Sequence, residues 1–176
     1  MNTIELFIND IDDFKVSLVD EPAIEQDFLA FSKDKLYFAN EEKHIIVGPV
    51  MIPEMRIARL DENKKPYYVY FTKETIEKIA HSFIREGRLD EFNLQHNSDT
   101  SKVHIVESWL SDGKDSRFDV PEGTWMIAAK VEDRDIWDSI KAGKFNGFSL
   151  EGTFTYKDSY MAIIEEAEKI VSEYEG

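Results

Sequence analysis

The sequence predicts an α+β fold: a small, mainly antiparallel sheet, closed or nearly closed into a β-barrel and flanked by helices. Three observations lead there. Short β-branched and aromatic runs recur between clusters of turn-forming residues, the apolar period shifts to that of a helix at only a few places, and the order of the elements sets successive strands side by side. The chain has 176 residues, enough for one domain in which roughly 70% of the unfolded chain's surface is buried. It carries no internal repeat and no low-complexity segment.

Residues 1 to 40 alternate acidic and apolar stretches, with a strand around Val16-Ser17-Leu18-Val19 and a turn broken by Pro22. The runs His44 to Ile52 and Tyr67 to Phe71 read as a hairpin joined through the turn residues Asp61-Glu62-Asn63-Lys64-Lys65-Pro66. From Thr72 the period changes. Ile76, Ile79, Ala80, Phe83 and Ile84 share one helical face, Thr72 is the N-cap, and Gly87 stands where a glycine ends a helix. Val103 to Leu110 and Trp125 to Val131 read as strands, linked by Ser111-Asp112-Gly113-Lys114-Asp115-Ser116 as a flexible surface connection. A short helix with Ile136, Trp137 and Ile140 inward, closed by Gly143, precedes a strand from about Gly147 to Tyr156. Along that strand Phe148, Leu150, Gly152, Phe154 and Tyr156 face one way, and Ser149, Glu151, Thr153 and Thr155 the other. Its second face is wholly polar. Met161, Ile164, Ala167, Ile170, Val171 and Tyr174 then recur at helical spacing, so residues 158–176 form an amphipathic helix that packs on the 1–157 domain or on a partner.

Composition excludes several chemistries. Cysteine is absent, which removes disulfides, thiolate zinc sites and a cysteine nucleophile together. A net charge of −15, with Lys and Arg scattered along the chain, opposes direct nucleic-acid binding. No run approaches the roughly 20 apolar residues a spanning helix requires, so no membrane role is expected. The first residues, Met1 to Leu6, lack the basic start and apolar stretch of a signal peptide, which makes the cytoplasm the expected compartment. No cofactor and no metal is called for. The acidic run Asn9-Asp10-Ile11-Asp12-Asp13 lacks the glycine and terminal glutamate of a calcium loop and reads as a solvated turn.

Of four histidines, His81 lies off the apolar stripe of its helix and His44 opens a strand, which leaves both without a distinctive setting. His104 begins a strand. His96 differs, sitting in the polar stretch Asn93-Leu94-Gln95-His96-Asn97-Ser98-Asp99 between an apolar anchor and a strand. A serine nucleophile needs a neutral imidazole within hydrogen-bond reach and a third group that fixes the imidazole's tautomer. Ser149 projects from the polar face of its strand, in Asn146-Gly147-Phe148-Ser149-Leu150-Glu151-Gly152, with glycines on both sides that let another backbone approach. From composition and spacing alone the favoured reading is a serine that merely faces water on an exposed sheet.

The segments Asn93-Leu94-Gln95-His96, Val106-Glu107-Ser108-Trp109, Gly123-Thr124-Trp125-Met126, Lys130-Val131, Ile136-Trp137, Ile140-Lys141, Gly143 and Gly147-Phe148-Ser149-Leu150-Glu151-Gly152, in this spacing, resemble the XkdF-like phage serine protease family. Val19-Asp20-Glu21-Pro22-Ala23-Ile24, followed by Phe28 and Phe31, extends the likeness over nearly the whole chain. The resemblance implies a prohead protease related in fold to the herpesvirus assemblin type, a mostly antiparallel barrel surrounded by helices. It implies His96 as general base and Ser149 as nucleophile. It also implies phage scaffold and major capsid proteins as substrates, association with further copies of the chain, and a place in the host cytoplasm inside the assembling prohead or virion. Related proteases carry the third group on a strand after the serine strand, and here that region is the helical tail. Glu151, two residues along from Ser149, and Glu107, sharing an alternation face with Val103, Ile105 and Trp109, are the candidates, and His104 is a third because assemblin-type triads use a second histidine. For Glu107 and Glu151 a structural salt bridge or a solvated carboxylate is the alternative. Glu173 and Glu175 in the last turn oppose the helix dipole, from which Gly176 is expected to lie near either an autoprocessing or a truncation boundary of a longer precursor.

Three other readings compete. Paired carboxylates suit a glycoside hydrolase, but 36 acidic residues produce such pairs by chance. Trp109, Trp125 and Trp137 could form an aromatic platform, yet all fall at inward positions. The serious rival is a catalytically silent capsid-assembly or scaffold-interacting protein with the same fold, which associates with its partners without shortening them.

Overall fold

The computed structural model describes residues 3–7, 15–19, 37–40, 42–60, 63–90, 92–94, 98–100, 102–115, 117–151 and 155–156. Their strands are β1 (Thr3–Phe7), β2 (Lys15–Val19), β3 (Tyr37–Asn40), β4 (Ile45–Met51), β5 (Ile57–Leu60), β6 (Pro66–Phe71), β7 (Phe92–Leu94), β8 (Ser98–Thr100), β9 (Val103–Leu110), β10 (Trp125–Val131), β11 (Gly147–Glu151) and β12 (Thr155–Tyr156). Two α-helices, α1 (Lys73–Arg85) and α2 (Arg134–Lys141), interrupt them. The strands form three four-stranded sheets, ordered β12-β1-β6-β5, β3-β4-β10-β9 and β11-β2-β7-β8. No closed barrel forms among the described residues. The barrel expectation fails because the strands divide among three separate sheets, each an open order of four strands with two edges, and the pairings include the parallel pairs β1 with β6 and β2 with β7. The α+β class holds; the assemblin likeness is not carried by this architecture. The tail expected as a helix over 158–176 lies outside the described residues.

The helices form where their caps allow. Thr72 accepts the Thr75 backbone N–H on its hydroxyl at 3.3 Å, and Gly87, at φ +71°, ends α1 in a conformation that costs other residues strain. Ile76, Ile79, Ala80 and Phe83 are buried beneath α1, whereas Ile84 faces out with 41% of its surface exposed. The expected apolar stripe is one residue too wide. Asp133 caps α2 through hydrogen bonds from the Asp135 and Ile136 amides at 2.9 and 3.0 Å, and Trp137 and Ile140 are buried. Thr72→Ala is expected to lower stability by about 1 kcal/mol, read from the urea midpoint at unchanged slope.

The strands expected over Val103–Leu110 and Trp125–Val131 form with those bounds and pair antiparallel as β9 and β10. β10 is interior to its sheet and apolar on both faces. Trp125, Ile127, Ala129 and Val131 enter the main core with Val16, Leu18, Ile46, Phe92 and Phe148, while Met126 and Ala128 join Val47 and Phe118 in a smaller cluster. The connection between β9 and β10 is held by its own hydrogen bonds rather than left loose. Ser111 N–H donates to Thr124 O and Gly123 N–H to Ser111 O, both at 2.8 Å, and the Ser111 hydroxyl accepts from Gly113 N–H. Gly123 is at φ +85°, and a Cβ there would lie 2.7 Å from the Lys73 Cβ. The turn therefore closes against the start of α1.

Two strand pairings differ from the sequence reading. β4 and β6 belong to different sheets; β6 forms its hairpin with β5, a short strand whose alternation in Arg56-Ile57-Ala58-Arg59-Leu60 is too brief to stand out. The strand expected from Gly147 to Tyr156 is divided, with β11 pairing β2 and β12 pairing β1. The first 40 residues supply three strands where one was expected.

Candidate functional site

Ser149 is built in by the strand that carries it. Gly143, at φ +75°, ends α2, and the Asn146 backbone N–H donates to Val19 O at 2.7 Å, which feeds the chain into β11 opposite β2. Phe148 then enters the main core and Leu150 packs against it, so alternation turns Ser149 to the other side. That side is not open water: Ser149 is only 7% exposed. The reading of Ser149 as a serine on a solvated face is thereby corrected, because the second face of this sheet is also covered.

Ser149 pairs in register with Ser17 on β2, and Ser17 pairs with Asn93 on β7. Ser17 is fully buried and Asn93 is 7% exposed. Three small polar residues thus form one buried row across three strands, on the face opposite Val16, Leu18, Phe92 and Phe148. Neighbouring strands lie about 4.8 Å apart, so the backbones at Ser149 and Asn93 are roughly 10 Å apart with Ser17 between them. Sequence reading missed Ser17 and Asn93. The available signal was a polar residue at the centre of an apolar strand, Val16-Ser17-Leu18 and Phe92-Asn93-Leu94, where burial of an unsatisfied polar group is costly.

His96 lies outside the described residues. Its flanks are fixed: Leu94 ends β7, Ser98 begins β8, and the two pair with each other. β7 runs parallel to β2 and β11 antiparallel to it, so β7 ends where β11 begins. Leu94 is level with Leu18, and Leu18 with Phe148.

The other candidates are dispersed. Glu151 ends β11 in register with Lys15, and its side chain lies outside the description. Glu107 and His104 stand on β9, in a different sheet from Ser149. Glu107 does not share a face with Val103 and Ile105 as expected. A β-bulge pairs Ala129 with Ile105 but Ala128 with Glu107, leaving Val106 as the extra residue and reversing the alternation beyond it. Glu107 is consequently exposed. It borders an outer groove of about 670 Å³ with Lys43, Trp109, Phe118 and Arg117. His104 Nε2 lies 3.9 Å from Glu132 Oε1. His44, which the sequence left unremarkable, stacks on Trp137 with ring centroids 4.5 Å apart, and His81 is exposed on α1.

Two of the groove's charged groups, Asp115 and Arg117, are shifted from their ordinary values by each other. Arg117 Nε donates to Asp115 Oδ1 at 2.9 Å and to Oδ2 at 3.0 Å. These bonds, with the Arg117 backbone N–H on Oδ1, hold the Asp115 carboxyl down at about 2, from 3.8. Asp115 in turn raises the Arg117 guanidinium, and Glu107 adds to that. A depressed carboxyl contributes stability above its unfolded value and loses it as pH falls toward the folded one, so this contribution disappears between about pH 4 and 2. Arg117→Ala should return the Asp115 titration toward 3.8, measured by NMR of the side-chain carboxyl carbon; an unmoved midpoint would refute the pairing.

Comparison with known proteins gives the family. The sequence model described as "Putative phage serine protease XkdF" matches residues 34–158. Over 147 residues the chain is 27% identical to the phage-like element PBSX protein XkdF of Bacillus subtilis (strain 168), covering 82% of this chain and 48% of that protein. Over 170 residues it is 28% identical to the uncharacterized protein YqbD of the same organism, covering 90% of this chain and 47% of that protein. The chain spans about half the length of the curated relatives it matches. No solved structure matches it. With residues 34–158 inside the match, both Ser149 and the strands that bracket His96 fall within the shared region, and the chain belongs to the XkdF family.

Proposed function

We propose that this chain is a serine endopeptidase that processes scaffold and major capsid proteins, and itself, during phage head maturation. The observation that carries the reading is the setting of Ser149: nine-tenths withdrawn from water, on the polar face of a strand whose start adjoins the end of the strand leading to His96. The family's description as a phage serine protease supports the same chemistry.

In this reading the Ser149 hydroxyl attacks the scissile carbonyl carbon while His96 takes its proton. The tetrahedral oxyanion is held by backbone N–H groups near Ser149 or in the Gly143 to Gly147 turn. The His96 imidazolium then protonates the departing amine, leaving an acyl-enzyme ester on Ser149 that water hydrolyses with His96 again as base. The third group is a carboxylate, Glu151 or Glu107, or His104. Glu151 has the shortest connection to Ser149, since the other two stand in another sheet. The reaction takes place in the host cytoplasm inside the assembling prohead, among copies of the chain.

Co-expression with the neighbouring scaffold and capsid proteins tests this. Specific truncations of those proteins in intact-mass spectra, present with the wild type and absent with Ser149→Ala, support the protease. Unchanged masses with retained association make the fold an assembly module instead.

A further inference from the structure

We infer that the outer groove bordered by Glu107 and Trp109 is a docking site for a basic peptide segment of a partner protein, an arginine or lysine flanked by apolar residues. The inference does not depend on Ser149, which stands in another sheet, and it holds whether or not the chain cleaves what it binds. The groove owes its chemistry to the bulge at Val106. Before the bulge, Val103 and Ile105 enter the main core; after it, Leu110 packs there and Ser108 accepts the buried Trp125 indole N–H, so Glu107 and Trp109 are turned outward. Bulges that re-aim side chains in this way are over-represented next to functional sites.

The parts of the groove match such a ligand. Its volume of about 670 Å³ suits a few side chains, and its floor is apolar, from Ile45, Val47 and Ala128. Trp109 is half-buried against Phe118, with ring centroids 6.2 Å apart. It offers a flat wall on which the aliphatic stem of a lysine or the plane of an arginine packs. Its indole N–H, unlike that of Trp125, has no acceptor among the described residues and is placed to donate to a peptide carbonyl. The described rim carries the carboxylates Glu107, Asp112 and Asp115 against the cations Lys43 and Arg117. Asp115 binds Arg117 directly, and Glu107 acts on the same guanidinium from further off, which leaves the rim with an excess of negative charge. The whole chain, at −15, has the same sign. A second copy, or this chain's own segment with Glu165, Glu166 and Glu168, is therefore repelled, and a cationic partner is drawn in. The wall is also set beforehand. Hydrogen bonds of 2.8 Å from Ser111 N–H to Thr124 O and from Gly123 N–H to Ser111 O close the loop that carries Asp112 and Phe118, so little ordering is needed on binding.

The test titrates the intact chain with a fluorescein-labelled peptide of alternating leucine and arginine, followed by anisotropy and by the NMR signals of the indole N–H groups. Saturable binding should shift the Trp109 signal, identified by its loss in Trp109→Phe, and should weaken as salt is raised. Glu107→Gln should weaken binding about fivefold, and Trp109→Ala at least about tenfold. The same peptide with glutamate in place of arginine should not bind, and Ser149→Ala should bind as the wild type does. Glu107 is exposed, so Glu107→Gln keeps the fold and decides the matter where Trp109→Ala does not fold. Undiminished binding by either groove variant, equal binding of the glutamate peptide, loss of binding in Ser149→Ala, a Trp109 signal that stays in place, or no saturation at millimolar peptide each overturns the inference. So does a wild-type dimer that Trp109→Ala dissolves in sedimentation, which gives the groove to a second copy.

Discussion

On the proposed reading, Ser149→Ala and His96→Ala are each expected to reduce peptide-bond cleavage by about 10³-fold or more, with the double variant falling no further than the worse single one. This is the largest effect expected of any substitution in the chain. The non-additivity is the informative part: a base without its nucleophile, or a nucleophile without its base, contributes nothing to the step they share. The measurement is single-turnover cleavage of a scaffold-derived substrate by purified variants. Additive losses, with the double variant falling by the product of the two singles, would mean that the residues act separately. Melting temperatures close to wild type are required for the comparison, and the size of Ser149→Ala makes that expectation reasonable, since it removes one oxygen and opens no large cavity.

The largest stability effect is expected at Trp125. It is fully buried, meets the Phe83 ring edge-on at a centroid distance of 5.3 Å, and donates its indole N–H to the Ser108 hydroxyl at 2.9 Å. It therefore ties β10 to both α1 and β9. Trp125→Ala should cost about 3–5 kcal/mol, a large share of the 5–15 kcal/mol typical of a whole domain. Trp125→Phe restores most of the volume but leaves the Ser108 hydroxyl without its donor, and should cost about 1–3 kcal/mol. Denaturant unfolding of the two variants separates the packing contribution from the hydrogen bond. Equal losses would assign the whole effect to the bond.

How much of this was legible beforehand depended on whether an element's reasons lie within itself. β9 and β10 are long, and β10 is apolar except for Lys130, so their bounds follow from residue type. α1 and α2 announce themselves through Thr72, Gly87, Asp133 and Gly143, each acting within a few residues. β1, β5, β7 and β8 are three to five residues long, and each is a strand because a distant partner completes it. The same distinction governs the site. Ser149 and His96 were chosen as candidates through their motifs, but the burial of Ser149 depends on the covering of a face that its own strand does not specify. Ser17 and Asn93 read as ordinary polar residues until pairing aligns them with Ser149. The bulge at Val106 leaves no mark in an alternation pattern, so Glu107 was assigned to the wrong side.

The pairing of β11 with β2 also has a consequence in time. Ser149 meets its strand partner only after nearly all of the described chain has been synthesised, because Ser17 emerges from the ribosome early and Gly147 to Glu151 late. Contacts between such remote segments close slowly and cannot form in a partial chain. A nascent chain that carries His96 but has not reached β11 lacks both Ser149 and the strand beside β2. On the proposed function, the delay ties the appearance of the complete site to completion of the fold, so a polypeptide still being translated is expected to leave the capsid proteins made beside it uncut.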